Sequence, residues 1–347
     1  MKLINTAYSF ACAYLKGEEA RCLTSDHVEG LSQRASTIRD SLEVIRNTDL
    51  GEYLADMSIN TIGELDERLW DYLRLCGERL EKFRLPRDLS RLLELYLRKF
   101  DLMNVKVALR KVVGREQLPA VPIGVVYELG YSDELMLAET IRDITEVLIK
   151  ADLIDYIDIL EGIKDIDRRS LIEGETRLDN RYFSQLRQAV AGMTDGGALT
   201  MALTVMIDST NLGLIFRTAI AESGEFSGDF FLEGGYVFSE TVLREMASMK
   251  PLEIIARLEG TDYELAAQDI VKLYEKSGMI DSVDRIVEKQ KFRLLRDLLS
   301  PRALSPCNLL WYLYLKELEI RNLRLLLKTG FDGLATAEIR DYLVTVS

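Results

Sequence analysis

The chain has 347 residues, 44 of them basic and 57 acidic, which gives a net charge of −13. That balance argues against a general nucleic-acid binder, because phosphate contacts need clustered Lys and Arg. It suits a soluble, globular protein of two or three domain-sized units whose partners are basic proteins.

No secretory leader is expected, since the apolar run after Lys2 is short, interrupted and lacks a small-residue cleavage pattern. Phe10 and Tyr14 stand at i, i+4 helical spacing and are assigned to the core rather than to a base-stacking platform. Adjacent carboxylates such as Glu18 and Glu19 are assigned to a solvated face. The only histidine, His27, lies in "TSDHVEG", a polar loop or first helical turn, and is expected at the surface. A single histidine excludes an HExxH zinc site and leaves a Ser-His-Asp triad no other base.

Further along, Ile45, Leu50, Tyr53, Leu54 and Met57 follow at helical steps. Leu89, Leu92, Leu93, Leu95, Tyr96 and Leu97 make a wide apolar face before Phe100. "AVPIGVVYELG" is β-branched but bounded by Pro and Gly, and is predicted to be a connector. From Gly196 to Phe216 the only charge is Asp208. That length would just span a bilayer, which takes about 20 apolar residues. Its Thr, Ser, Asn and Gly content and the cost of a charge in lipid point instead to a helix buried in protein. The Gly pair in "FFLEGGYVF" marks a turn or a helix end, and Leu273, Ile280, Val283 and Ile286 resume the helical period. Only six prolines interrupt these windows, so the fold class is all-α.

Cys12, Cys22, Cys76 and Cys307 form no CxxC pair and no zinc spacing, and are expected as reduced core thiols. There is no Walker A loop, no GxGxxG and no GxSxG, and "GMTDGGALT" lacks both the Lys and the preceding strand of a phosphate loop. No catalytic residue, cofactor or metal is expected, and the isolated protein is expected neither to bind nor to hydrolyse ATP.

Internal repetition is the most informative feature. "EVIRNTDLGEYL" from Glu43 aligns without a gap with "EVLIKADLIDYI" from Glu146, pairing Asp49 with Asp152 and Tyr53 with Tyr156. "LEIIARLEGTDYEL" from Leu252 is a looser third copy. Downstream of each lies a second signature. "DLMNVKVALR" carries Asp101, Asn104 and Arg110; "DSTNLGLIFR" carries Asp208, Asn211 and Arg217; and "KELEIRNLRLLLKTG" carries Glu319, Asn322 and Lys328. Each is an acid, an Asn three residues later and a cation six residues after the Asn. The pattern predicts a triplicated helical module, with boundaries at 1–118, 119–226 and 227–347.

On a helix, the acid and the Asn share a face. The cation, nine residues from the acid, is displaced by ~180° and must serve another neighbour. An Asn in a helix interior is poorly suited to its place unless its amide finds a partner. These nine residues are therefore expected to set contacts between modules, or with a partner protein, rather than to catalyse.

The sequence resembles the C subunit of archaeal A-type ATP synthases, a family that includes the d subunit of V-type ATPases and the C subunit of bacterial V-type enzymes. The resemblance covers essentially the whole chain. "YSFACAYLKGEEARCL" resembles the opening helix, with Tyr14 where the family has Arg. "SLEVIRNTDLGEYL" is similar to its T-D-Y-like run, and "FLEGGYV" to a P-G-G-Y turn, with Glu233 in place of Pro. "GLATAEIRDYLV" resembles its most specific ending. The resemblance implies three modules around a pseudo-threefold axis, forming a funnel or socket. It implies a non-catalytic, monomeric rotor component, one copy per complex, peripheral on the cytoplasmic face of the cell membrane. Its implied partners are the D and F subunits of the central shaft and the membrane proteolipid ring, with membrane contact only through the complex. It would link ion translocation mechanically to ATP synthesis or hydrolysis. The alternatives are a generic helical-repeat scaffold for protein–protein interaction and an enzyme with an unrecognised site.

Overall fold

The computed structural model describes residues 8–34, 38–83, 85–113, 119–163, 167–221, 230–278, 280–332 and 343–344. Among them there are seventeen α-helices and no β-strand, so the chain is all-α. The first stretch holds α1 (Ser9–Glu19), α2 (Ser25–Arg34), α3 (Ile38–Val44), α4 (Asp49–Leu54), α5 (Ile62–Glu81) and α6 (Arg87–Val112). Next come α7 (Val125–Glu128), α8 (Ser132–Leu137), α9 (Ile141–Lys150), α10 (Ile157–Glu161), α11 (Arg168–Ala191) and α12 (Gly196–Ala221). The last are α13 (Glu240–Met246), α14 (Pro251–Arg257), α15 (Glu264–Ser277), α16 (Asp281–Leu299) and α17 (Cys307–Asp332). Three helices, α6, α12 and α17, are each 26 residues long, and they carry the three acid–Asn signatures.

Local chemistry sets many of the starts. Thr48, Thr61 and Asp167 accept a backbone N–H at the first turns of α4, α5 and α11. Thr140 and Asp143 close a reciprocal capping box on α9. Such caps satisfy donors that the helix itself leaves open and are each worth ~1 kcal/mol.

The chain divides into two compact units. One comprises Met1–Leu93, Met193–Asp195 and Arg296–Ser347; the other comprises Glu94–Gly192 and Gly196–Leu295. In the first unit α17 packs against α5 and α1, burying Trp311, Tyr312, Tyr72 and Leu15. In the second, α11 pairs with α12, and a core of Leu212, Phe216, Phe238, Tyr263 and Ile270 gathers α12 to α15. Burying each such side chain contributes about 1.5–3 kcal/mol.

Several sequence expectations are corrected here. Phe10 is 66% exposed and only leans on Phe83. Glu18 is buried beside Arg21 and Arg79, and Glu19 accepts a hydrogen bond from Trp311 Nε1, so this pair is not a solvated face. The helical period read from Leu273 to Ile286 falls on two helices, the end of α15 and the start of α16. Asp49 and Asp152, matched by the gapless alignment, differ in conformation. Asp49 opens α4 and is buried, whereas Asp152 is exposed at φ 56° just past α9.

The Gly196–Ile220 stretch of α12 has the length and composition to cross a membrane, but 72% of its most apolar window is buried in protein. All four cysteines are free and buried. His27 sits in the first turn of α2, where Nδ1 accepts the Thr24 N–H. The "GLATAEIRDYLV" ending lies outside the described residues except for Leu343 and Val344.

Candidate functional site: polar clamps on the three long helices

Each Asn of the repeated signature makes the same pair of bonds. Asn104 donates through Nδ2 to Val121 O (2.9 Å) and accepts the Val121 N–H on Oδ1 (2.7 Å). Asn211 does the same to Leu232, at 2.9 Å in both directions. Asn322 does so to Val344, at 2.5 and 3.3 Å. All three amides are buried. A carboxamide matches a peptide group in this two-way geometry, which neither Leu nor Asp reproduces. The unfavourable Asn in mid-helix is thereby explained: it acts as a peptide surrogate for a segment passing alongside.

The acid one turn earlier holds the same segment in the first two copies. Asp101 accepts the N–H groups of Val125 (3.1 Å) and Val126 (2.9 Å). Asp208 accepts those of Tyr236 (3.1 Å), Val237 (3.0 Å) and Phe238 (3.2 Å). The register is identical, because the first amides lie four and five residues past the Asn-held residue in both. Glycine makes the approach possible. Gly124 (φ 104°) and Gly235 occupy equivalent places, and a Cβ on either would collide with the carboxylate. Burial raises the Asp101 pKa to about 6, against the amides of Val126 and Val125 that favour the charged form. Burial also raises that of Asp208, against Val237, Phe238 and Tyr236.

The third copy departs from this plan. Glu319 accepts the Leu23 N–H (2.8 Å), so its partner lies near the start of the chain. It also belongs to a buried charge cluster. Lys316 Nζ, fully enclosed, reaches Glu319 (3.1 Å), the Tyr72 hydroxyl (2.6 Å) and Asp49 (3.7 Å). The Tyr72 hydroxyl donates to Asp49 (2.9 Å), which also accepts from Arg79 (3.0 Å). Burial alone would lower the Lys316 pKa, but Glu319 and its other neighbours outweigh it and raise it, so the lysine is charged. Burial acts to raise the Asp49 pKa, yet Lys316, Tyr72 and Arg79 hold it low. Composition gave no sign of Asp49, Tyr72 and Lys316 as a cluster. The only hint was "KELE", where Lys316 and Glu319 share a helix face.

The cations face other helices. Arg110 makes two bonds to Glu175 on α11 (both 2.7 Å), and Arg217 pairs with Asp284 on α16. Lys328 is exposed; in that copy Arg324 makes the two-bond pair, with Asp66 on α5 (2.5 and 2.7 Å). Lys106 occupies the position equivalent to Arg324 and meets Asp179 on α11 (2.5 Å). Arg324 is visible in the sequence as a cation turned away from Glu319, but Lys106 was missed, because α12 has Gly213 at that position and the pattern holds in only two copies.

Nothing in this arrangement presents a nucleophile or an open ligand set. Among the described residues no group of three or more His, Cys, Asp or Glu is placed to hold a metal. A cavity of about 340 Å³ lies against the second turn, lined by Arg177, Asn180, Glu233 and Arg244 among others. Its two arginines pair within their own helices, with Glu173 and Glu240.

The profile of the family described as ATP synthase (C/AC39) subunit matches residues 11–342. The chain is 25% identical to the A-type ATP synthase C subunit of Methanocaldococcus jannaschii, covering 98% of this chain and 86% of the relative. Identity to the corresponding A-type protein of Pyrococcus abyssi is 24%, over 97% and 90% of the two chains. For that of Halobacterium salinarum it is 23%, over 89% and 86%.

Proposed function

We propose how this chain, which belongs to the ATP synthase (C/AC39) subunit family, serves a rotary complex: it couples the central shaft to the membrane proteolipid ring. It is an accessory stalk component and not the catalytic one. In this reading the modules 1–118, 119–226 and 227–347 stand around a pseudo-threefold axis as a socket. The D and F shaft proteins seat in it, and the ring binds it at the cytoplasmic face of the membrane. Rotation then links ion translocation to ATP synthesis or hydrolysis.

The observation that carries this reading is the direction of the contacts. The long helix of the first module holds residues of the second: Asn104 to Val121, Arg110 to Glu175. That of the second holds the third: Asn211 to Leu232, Arg217 to Asp284. That of the third returns to the first through other positions, Glu319 to Leu23 and Arg324 to Asp66, while its Asn322 holds Val344 of its own module. A succession that comes back to its start fits a closed set of three modules. An open solenoid leaves its last repeat without a successor. A part that transmits torque must also resist shear between modules, and buried polar contacts with one satisfied geometry supply that resistance.

The test is a bridging assay with purified chain, the D and F shaft proteins, and detergent-solubilised ring. D and F are expected to co-elute with the ring only when the chain is present. A chain that binds neither, or a ring that retains D and F equally well without it, refutes the reading.

A further inference from the structure

We infer that the short-helix segment from Val125 to Glu161 is a docking face for a basic protein surface that carries apolar anchors. This rests on the proposed place of the chain in a rotary complex, and it assigns the partner's chemistry.

Two independent features of the segment coincide. The first is exposed apolar area. Of the twelve exposed large hydrophobic residues among those described, five fall in these 37 residues: Tyr127, Leu129, Leu137, Ile149 and Ile154. Leu137 is 72% exposed, and Ile149 and Ile154 are 58% exposed each. Single exposed apolar residues are ordinary, but their concentration in one short stretch marks an interaction surface.

The second feature is charge. The segment carries ten acidic residues and two basic ones, a net charge of −8 within a chain of −13. Nine of the ten acids are exposed. Both cations are already engaged, Arg142 with Glu146 and Lys150 with Glu134. The Lys150 ammonium also lies over the Tyr131 ring, tying α8 to the end of α9. The clamp register gives an internal comparison. Val121 corresponds to Leu232, so residues 236–272 are the counterpart, and they carry seven acids and four bases. The acidity is therefore a property of this copy, not of the repeat.

The sign of the charge selects the occupant. An anionic lipid surface would be repelled by a net −8 face. A surface bearing Lys and Arg would be steered to it, with its apolar side chains covering Leu137, Ile149 and Ile154.

The experiment uses the full chain and three probes: the D–F shaft complex, the detergent-solubilised proteolipid ring, and phosphatidylglycerol vesicles. Two variants are compared with the wild type. One is D133K/E139K/D152K/E161K; the other is L137S/I149S. A control, E245K/E259K/D269K, changes exposed acids of the counterpart segment. Circular dichroism melting confirms that all are folded. The wild type is expected to bind one of the two protein probes, with affinity falling as salt rises. Both test variants are expected to weaken that binding at least tenfold and the control less than twofold. Wild-type binding to the shaft or ring that both test variants leave intact overturns the docking face alone. Vesicle binding that the charge variant abolishes also overturns it, because the occupant is then a membrane. A wild type that binds neither protein probe overturns the coupling role itself and this inference with it.

Discussion

Replacing Asn211 by Leu isolates the contribution of one clamp. Leu keeps the branching of Asn but carries bulkier ends, so any overpacking in this buried site adds to the loss. What is lost is both hydrogen bonds to Leu232, at 2.9 Å each, in a site where Asn211 is 0% and Leu232 5% exposed. The Leu232 N–H and C=O are then buried without a partner, and each such group costs roughly 1–3 kcal/mol. The variant is therefore expected to lose roughly 2–6 kcal/mol of unfolding free energy. For a two-state chain of 347 residues that corresponds to a fall in Tm of roughly 3–8 °C. Differential scanning calorimetry and urea unfolding measure it. Asn211→Asp provides a graded control, since it keeps an acceptor for the N–H and loses the donor to the carbonyl. Asn104→Leu is expected to match Asn211→Leu, and Asn322→Leu to cost less because its second bond is 3.3 Å. Unchanged melting in all three Leu variants would refute the clamp reasoning.

Three further outcomes follow from the same geometry. Lys316→Met leaves Asp49 and Glu319 buried without their shared cation, and is expected to cost about 3–5 kcal/mol in chemical denaturation; a loss under about 1 kcal/mol contradicts the cluster's role. Gly124→Ala and Gly235→Ala place a methyl against a buried carboxylate and are each expected to cost roughly 1–3 kcal/mol or more. Gly130→Ala, which has open space at φ 78°, is expected to cost only about 1 kcal/mol, and equal losses at all three sites would contradict the close approach. Asp101 titrates near 6 when folded and near the ordinary carboxylate value when unfolded, so the folded state takes up the proton first. Its penalty is present above pH 6 and is relieved as pH falls toward 4. Measured against Asp101→Asn, wild-type stability should therefore rise between about pH 7 and about pH 5. A flat or falling difference in the pH series counts against the buried carboxylate.

The all-α class was legible because the apolar period and the scarcity of proline leave little room for another reading. The D-x-x-N element was legible only through its threefold recurrence; one copy carries no weight. What each Asn holds was not legible, since Val121, Leu232 and Val344 lie 17 to 22 residues away, past the ends of the long helices that carry the Asn. The gapless match of Asp49 with Asp152 misled for a related reason. Identical letters at equal spacing do not fix backbone conformation, and only Asp49 has Lys316 and Arg79 as neighbours. Burial of Lys316 was equally hidden, because a lysine in a helix reads as surface unless its partners are known. Phe10 failed in the opposite sense, as a large aromatic at helical spacing that nevertheless faces outward.

The central claim is mechanical coupling, and reconstitution tests it most directly. A-type complexes assembled with and without the chain in vesicles are compared for ATP hydrolysis and for ATP-driven ion uptake. With the chain present, hydrolysis should drive uptake. Without it, hydrolysis should continue while uptake is lost, and adding back the purified chain should restore it. Ion uptake that proceeds at an unchanged rate in complexes lacking the chain would contradict the account.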